Sequence, residues 1–226
     1  MSEVVDEELN FYRSRVLEIL AGKTVEQLMP YDLKVTLFGA GLMTYRRESA
    51  LRPFPSFLVK EEEKQFELTY EAFDAIPPIN DINESTNLSL NTWRLLHWII
   101  SQDSVKLELI KCEETPNLFN KYQPNFLFKV ITREKERFGE DKRKYGSFVG
   151  FHGSQVENFH SILYNGLLNC LNKRDLYGSG TYLSTRIEVA VEFSPFSGGF
   201  KNSLLGRRIS CIAMCEVVKS PQIEEC

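Results

Sequence analysis

Phe151-His152-Gly153-Ser154-Gln155-Val156-Glu157-Asn158-Phe159-His160-Ser161-Ile162-Leu163-Tyr164-Asn165-Gly166-Leu167 contains the change of period that decides the fold. Ser147 to Phe151, leading into it, reads as a short strand, whereas Val156, Phe159, Ile162 and Leu163 recur at the spacing of one helix face. Ser154 and Glu157 stand three apart as a capping box opening that helix. Asn165-Gly166 closes it, because glycine readily takes the left-handed conformation at a helix C-terminus. A strand passing through His-Gly-Ser into a helix gathers backbone N–H groups and a helix N-terminus around a ligand, and glycine permits close approach.

Toward the C-terminus a second unit follows: Gly178-Ser179-Gly180-Thr181-Tyr182-Leu183-Ser184, then a helix capped by Thr185 with Glu188 and stopped by Pro195. The G-x-G here lacks a third glycine and precedes a strand, so a dinucleotide-binding fingerprint is excluded. Ile209 to Val218 reads as the last strand. Cys211 and Cys215 share its face with Ile209, Ala213 and Val217, which favours packing over thiol reactivity.

Toward the N-terminus, Val105, Leu107 and Leu109 alternate with Lys106, Glu108 and Lys111, and Phe126, Phe128 and Val130 repeat the strand pattern. The charge-dense segment Arg133 to Lys144 reads as a solvated hairpin or loop. Before about residue 103 the period is helical. Asp32 is the expected N-cap of a helix carrying Leu33, Leu37, Phe38, Leu42 and Tyr45, which Arg52-Pro53-Phe54-Pro55 ends. A further helix is expected over Glu62 to Asp74, before Pro77-Pro78, and another from near Ser85 with Leu88, Trp93, Leu96 and Ile99 facing a core.

Of the 226 residues, 42% are hydrophobic and 26% charged, which excludes a disordered, collagen-like or coiled-coil chain. No apolar run approaches the roughly 18 residues of a membrane span, and the acidic start MSEVVDEELN is unlike a secretory signal. A soluble, cytoplasmic chain is expected. The five cysteines, at 112, 170, 211, 215 and 226, form no C-x-x-C pair, which argues against a disulfide framework or zinc site. Residues 1–103 carry 10 Lys+Arg against 17 Asp+Glu, and residues 104–226 carry 17 against 14. That asymmetry points to two modules, and the mildly basic second half suits an anionic small ligand rather than nucleic acid. His97, between Leu96 and Trp98, and His160, beside Phe159, read as packing histidines.

The framework F-H-G-S-x-x-x-N-F-x-x-I-L-x-x-G-L, the G-x-G-T-Y-L at Gly178 to Leu183 and the aromatic Phe193 together resemble the ADP-ribosyltransferase domain of the poly(ADP-ribose) polymerase (PARP) family. S-x-L-R-P-F-P at Ser49 to Pro55, the L-N-K-x-x-L segment from Leu171 and S-L-L-G at Ser203 to Gly206 extend the likeness to the mono-ADP-ribosylating members with a helical N-terminal domain and a membrane tail. The resemblance implies an α+β fold: an all-helical domain over 1–100, then a split β-sheet transferase domain over 101–226.

It further implies NAD+ as co-substrate, no metal, and transfer of ADP-ribose to protein acceptors, automodification included, with release of nicotinamide. His152 and Tyr182 are the implied catalytic residues. His152, Gly153, Ser154, Tyr182 and Phe193 are implied to bind NAD+: His152 at the adenine-proximal ribose, the Gly153 backbone at the nicotinamide carboxamide, and Tyr182 and Phe193 on the nicotinamide ring. Planar cationic rings are well held between aromatic faces. Phe193 also fits a plain helix core.

Ala190 stands where the family often has a carboxamide-binding serine. The third signature residue is expected on a strand beyond Cys226, as is the tail that would place a full-length form at the cytosolic face of the endoplasmic reticulum. The 226 residues therefore read as a fragment or shortened form, with a binding or regulatory module as the alternative to an enzyme.

Overall fold

The computed structural model describes residues 2–110, 119, 122–132, 136–167, 180–221 and 223. The L-N-K segment, Gly178, Ser179, Cys112, Cys170 and Cys226 lie outside them. Helix α1 (Ser2–Leu20) leads into α2 (Val25–Met43), whose first turn is closed by Thr24 and Gln27. Thr24 Oγ1 accepts from the Gln27 N–H at 3.4 Å, and Gln27 Oε1 accepts from the Thr24 N–H at 2.9 Å. This reciprocal box starts α2 eight residues before Asp32, so Asp32 is not the expected N-cap but a buried residue inside the helix.

A short α3 (Arg47–Ala50) precedes the proline segment, and strands β1 (Val59–Lys60) and β2 (Glu63–Lys64) form a tight hairpin. Its two turn residues, Glu61 and Glu62, have φ of 51° and 67°. Both central residues of a primed hairpin turn need positive φ, and the usual Asn-Gly signal is missing. For that reason the helix expected from Glu62 begins later, as α4 (Phe66–Asp74). Helix α5 (Leu90–Ile100) likewise starts after Ser85, capped by Ser89 through the Thr92 N–H, and Leu88 packs on the core from just outside it.

Helix α2 is the spine of the molecule. Phe38, Val35 and Leu42 face Phe73, Trp93, Leu96 and Ile99 on one side, while Leu37 and Ala40 meet Val156 and Phe159 on the other. A Cβ on Gly39 would sit 2.4 Å from the Phe73 ring, so the absent side chain lets α4 close onto α2. The larger core also takes in Phe200, from the second half of the chain.

Beyond it the strands form antiparallel pairs. Strand β3 (Lys106–Ile110) pairs with β4 (Leu127–Ile131), in register from Lys106 opposite Ile131 to Ile110 opposite Leu127. The segment expected as a hairpin or loop is instead helix α6 (Glu136–Tyr145), none of whose residues is buried. Its acidic first turn and basic last turn complement the helix dipole, a local signal that charge density alone does not reveal.

Strand β5 (Ser147–Gly153) passes through a single 3-10 turn (Val156–Asn158) into α7 (Phe159–Asn165), and Gly166 ends α7 at φ 77°. Helix α8 (Ile187–Glu192) and the small pair β6 (Ser197–Gly198) and β7 (Arg208–Ile209) follow. Strand β8 (Ile212–Val218) runs antiparallel to β5, Gly153 opposite Ile212 and Ser147 opposite Val218. The single strand expected over Ile209 to Val218 is thus two, broken at Ser210-Cys211, where Ser210 turns its hydroxyl to the Ser194 carbonyl. The architecture is α+β, a helical N-terminal region followed by mixed helix and small sheets. Among the described residues no helix is long and apolar enough to cross a membrane.

Candidate active site

His152 and Gly153 end strand β5, where the pairing with β8 runs out. On the other edge of β5, Phe151 and Ser184 exchange both backbone hydrogen bonds, at 2.7 and 2.9 Å, which docks the Tyr182-Leu183-Ser184 segment beside the strand. The Nδ1 of His152 lies 2.9 Å from the Tyr182 carbonyl oxygen. A carbonyl can only accept, so Nδ1 carries the proton and Nε2 is left, in the neutral ring, with a lone pair for a hydroxyl donor. His152 and Tyr182, thirty residues apart, are joined through ring and main chain, and both are half-buried.

Gly153 is closed on one side by α8. A Cβ there would lie 1.9 Å from the Ala190 carbonyl oxygen and 2.9 Å from Ser194 Oγ. The missing side chain therefore lets the helix approach the strand. Phe193 caps the C-terminal end of α8 and is 51% exposed. Phe151, Ile187, Ala190 and Phe119 form a small apolar core with Ile212 and Val191.

The expected capping boxes do not form. Ser154 Oγ accepts from Asn158 Nδ2 at 2.8 Å, and Glu157 turns to the helical region, accepting from Thr44 Oγ1 at 2.9 Å and Arg46 at 2.8 Å. A half-buried carboxylate gains more from a guanidinium than from one backbone N–H, and this takes Glu157 out of the cap. Arg186, not Thr185, precedes α8 as its N-cap residue, and it makes no side-chain capping hydrogen bond.

His160 is buried, with Nε2 donating to the Pro53 carbonyl at 2.8 Å, and burial pulls its pKa down to about 4. It packs as expected, as does His97 against Tyr12. Burial also pushes the Cys211 thiol up to about 12 and Cys215 upward, consistent with packing rather than reactive thiols. Among the described residues no cluster of His, Cys, Asp and Glu could hold a metal ion.

Sequence reasoning missed Ser194 and Ser210 and gave Asp32 a different role, because the partners of all three are distant in sequence or belong to the fold. Asp32 Oδ2 accepts from Ser203 Oγ at 2.5 Å and the Leu204 N–H at 3.1 Å, so the S-L-L-G run is gripped by α2.

A strand-end histidine bonded to the carbonyl of a later tyrosine, with a short helix closing over the next glycine, is what the structure builds at the positions that carry the resemblance in the sequence. Residues 107–224 match the family model for the poly(ADP-ribose) polymerase catalytic domain, and residues 23–100 match that for the ARTD15 N-terminal domain. The chain belongs to the poly(ADP-ribose) polymerase family. It is 35% identical over 208 residues to protein mono-ADP-ribosyltransferase PARP16 of Mus musculus, covering 85% of this chain and 63% of that protein. With PARP16 of Homo sapiens it shares 34% over 212 residues, 87% of this chain and 65% of the relative. Protein mono-ADP-ribosyltransferase PARP8 of Mus musculus is 26% identical over 249 residues, 86% of this chain and 28% of the relative. The chain thus spans less than two thirds of the length of these relatives.

Proposed function

We propose that this chain carries the NAD+-handling part of a mono-ADP-ribosyltransferase that modifies protein side chains. The bond between nicotinamide nitrogen and ribose C1′ breaks, a new bond forms from C1′ to the acceptor atom, the acceptor's proton is released, and nicotinamide leaves as a neutral ring. Positive charge builds on the ribose in the transition state, so positioning and fixed dipoles matter more than a strong base.

The observation that carries the reading is the His152 to Tyr182 hydrogen bond. It fixes one imidazole tautomer, and Nε2 then accepts a ribose hydroxyl without any reorganisation of the ring. In this reading the Gly153 backbone bonds the carboxamide, while Tyr182 and Phe193 flank the nicotinamide ring. The half-exposed state of Phe193 supports its availability to a ligand. The names of the PARP16 relatives support transfer of a single ADP-ribose unit.

The test is incubation of the purified protein with labelled NAD+, followed by protein-bound label and free nicotinamide. His152→Ala and Tyr182→Ala are expected to abolish labelling while keeping the wild-type melting behaviour. Retained labelling in either variant overturns its role. Binding of NAD+ with no nicotinamide release would identify a binding module instead of a transferase.

A further inference from the structure

We infer that Ser194 is a positioning residue of this site, a role that rests on the function proposed above. Ser194 is 4% exposed and directly follows Phe193. All of its polar groups are engaged, and they join three elements. Its Oγ donates to the Ala190 carbonyl at 3.0 Å, its N–H to the Val191 carbonyl at 3.0 Å, and its own carbonyl accepts from Ser210 Oγ at 2.6 Å. The first two bonds secure the last turn of α8, and the third ties that turn to the break between β7 and β8. The Oγ also lies 2.9 Å from the point a Cβ on Gly153 would occupy, so the hydroxyl rests against the end of β5.

Helix α8 has six residues, too few to hold its shape unaided. A helix end leaves carbonyls without intrahelical partners, and here the Ala190 oxygen is satisfied by both the Phe193 N–H, at 3.2 Å, and the Ser194 hydroxyl. The pinned residue is the immediate neighbour of Phe193, so the placing of Phe193 at the end of α8 is set by Ser194. Removing the hydroxyl frees the turn and opens a gap beside Gly153. The ring then spends less time where it meets a nicotinamide, although nothing that touches the reacting C1′ atom has changed. The expected signature is weaker ground-state binding at nearly constant turnover.

The experiment compares wild type, Ser194→Ala, Ser194→Thr, Ser210→Ala and, as a buried serine elsewhere, Ser161→Ala. Steady-state kinetics with NAD+ are combined with titration of benzamide, a nicotinamide mimic that needs no turnover. Ser194→Ala is expected to raise KM and the benzamide Kd together by roughly fivefold, the scale of one neutral hydrogen bond, with kcat within about twofold. Ser210→Ala is expected to give a smaller shift of the same kind, Ser194→Thr to recover part of the loss, and Ser161→Ala to leave both constants unchanged. Should Ser194→Ala fail to fold, Ser210→Ala carries the test, since it removes a bond without opening the Gly153 contact. Unchanged KM and Kd in a folded variant, or loss of kcat at constant KM, overturns this role alone. A wild-type protein that neither turns over NAD+ nor binds benzamide overturns the proposed function and this role with it.

Discussion

Asp32 Oδ2, in the interior of α2, accepts the Ser203 hydroxyl at 2.5 Å across 171 positions of sequence. Thr36 Oγ1 lies 2.9 Å from the same Ser203 oxygen and 3.5 Å from Asp32 Oδ2, and the Leu204 N–H donates to that carboxylate oxygen as well, while Asp32 Oδ1 is buried without a partner. Burial outweighs these bonds and raises the Asp32 pKa above its ordinary value. An acid whose folded pKa is raised holds its proton longer when folded than when unfolded. Its charge is a cost that is absent below the unfolded value and grows as pH rises through the folded one. Melting temperatures measured from pH 4 to 8 should therefore decline more steeply in wild type than in Asp32→Asn. Asp32→Ala, which strands Ser203 and Leu204, should be destabilised by about 1–3 kcal/mol.

His160 supplies the opposite slope. With the folded pKa lowered from 6.5 to about 4, the unfolded chain binds the extra proton between those values, so stability falls as pH drops from 6.5 toward 4. The shift corresponds to about 3 kcal/mol at most. Urea titrations at pH 7 and pH 4.5 should show this loss in wild type and a smaller one in His160→Gln, whose amide can still donate to the Pro53 carbonyl. An equal loss in both would place the acid sensitivity elsewhere.

What the sequence made legible, and what it hid, divides by the range of the interactions. The switch from helical to alternating period near residue 103, the strand running into His152 and the glycine end of α7 depend on neighbours within a few positions, and all three are present. The starts of helices were harder, because capping residues are ambiguous one at a time. Thr24 with Gln27 beats Asp32, and Glu157 leaves Ser154 for Arg46 across 111 residues. In the site, the residue types at 152, 153 and 182 stood out, but the bond from the His152 ring goes to a main-chain carbonyl, which every residue has. Ser194 and Ser210 carry no motif at all, and their meaning arises only when α8 and the β7–β8 break come together.

Phe200 tests how far the two family-matched regions fold as one. It is 1% exposed, sits edge-on to Phe73 at a centroid distance of 5.7 Å, and is a residue of the second family-matched region buried in the helical core. Beside it a Cβ on Gly199 would lie 2.6 Å from the Thr36 carbonyl oxygen, so chain and helix are in close contact. Phe200→Ala should cost about 3–5 kcal/mol, the range for truncating a buried aromatic ring. Calorimetry should show the whole protein melting at a lower temperature in one transition. Two separated transitions would show that the regions are independent units joined only at their surfaces.

Gly153→Ala is the sharpest probe of the site's construction. The new methyl would need to stand 1.9 Å from the Ala190 oxygen and 2.7 Å from its carbonyl carbon, and both belong to backbone rather than to a flexible side chain. Either α8 moves outward or the end of β5 moves away from it. Overpacking of this kind costs about 1–3 kcal/mol, so the variant should fold with a lowered melting temperature. Displacement of α8 carries Phe193 and Ser194 with it, and displacement of β5 disturbs the His152 bond to Tyr182. Both routes impair the site, so the ADP-ribosylation proposed above should fall by at least about a hundredfold, as expected for misplacement on the scale of an ångström. Gly150→Ala on the same strand is the matched control. Its Cβ would meet Leu183 and Val217 side chains at 3.2 and 3.3 Å, contacts that shifts of a few tenths of an ångström relieve. A folded Gly153→Ala protein with wild-type turnover of labelled NAD+ would show that the approach of α8 to β5 is not part of the active site.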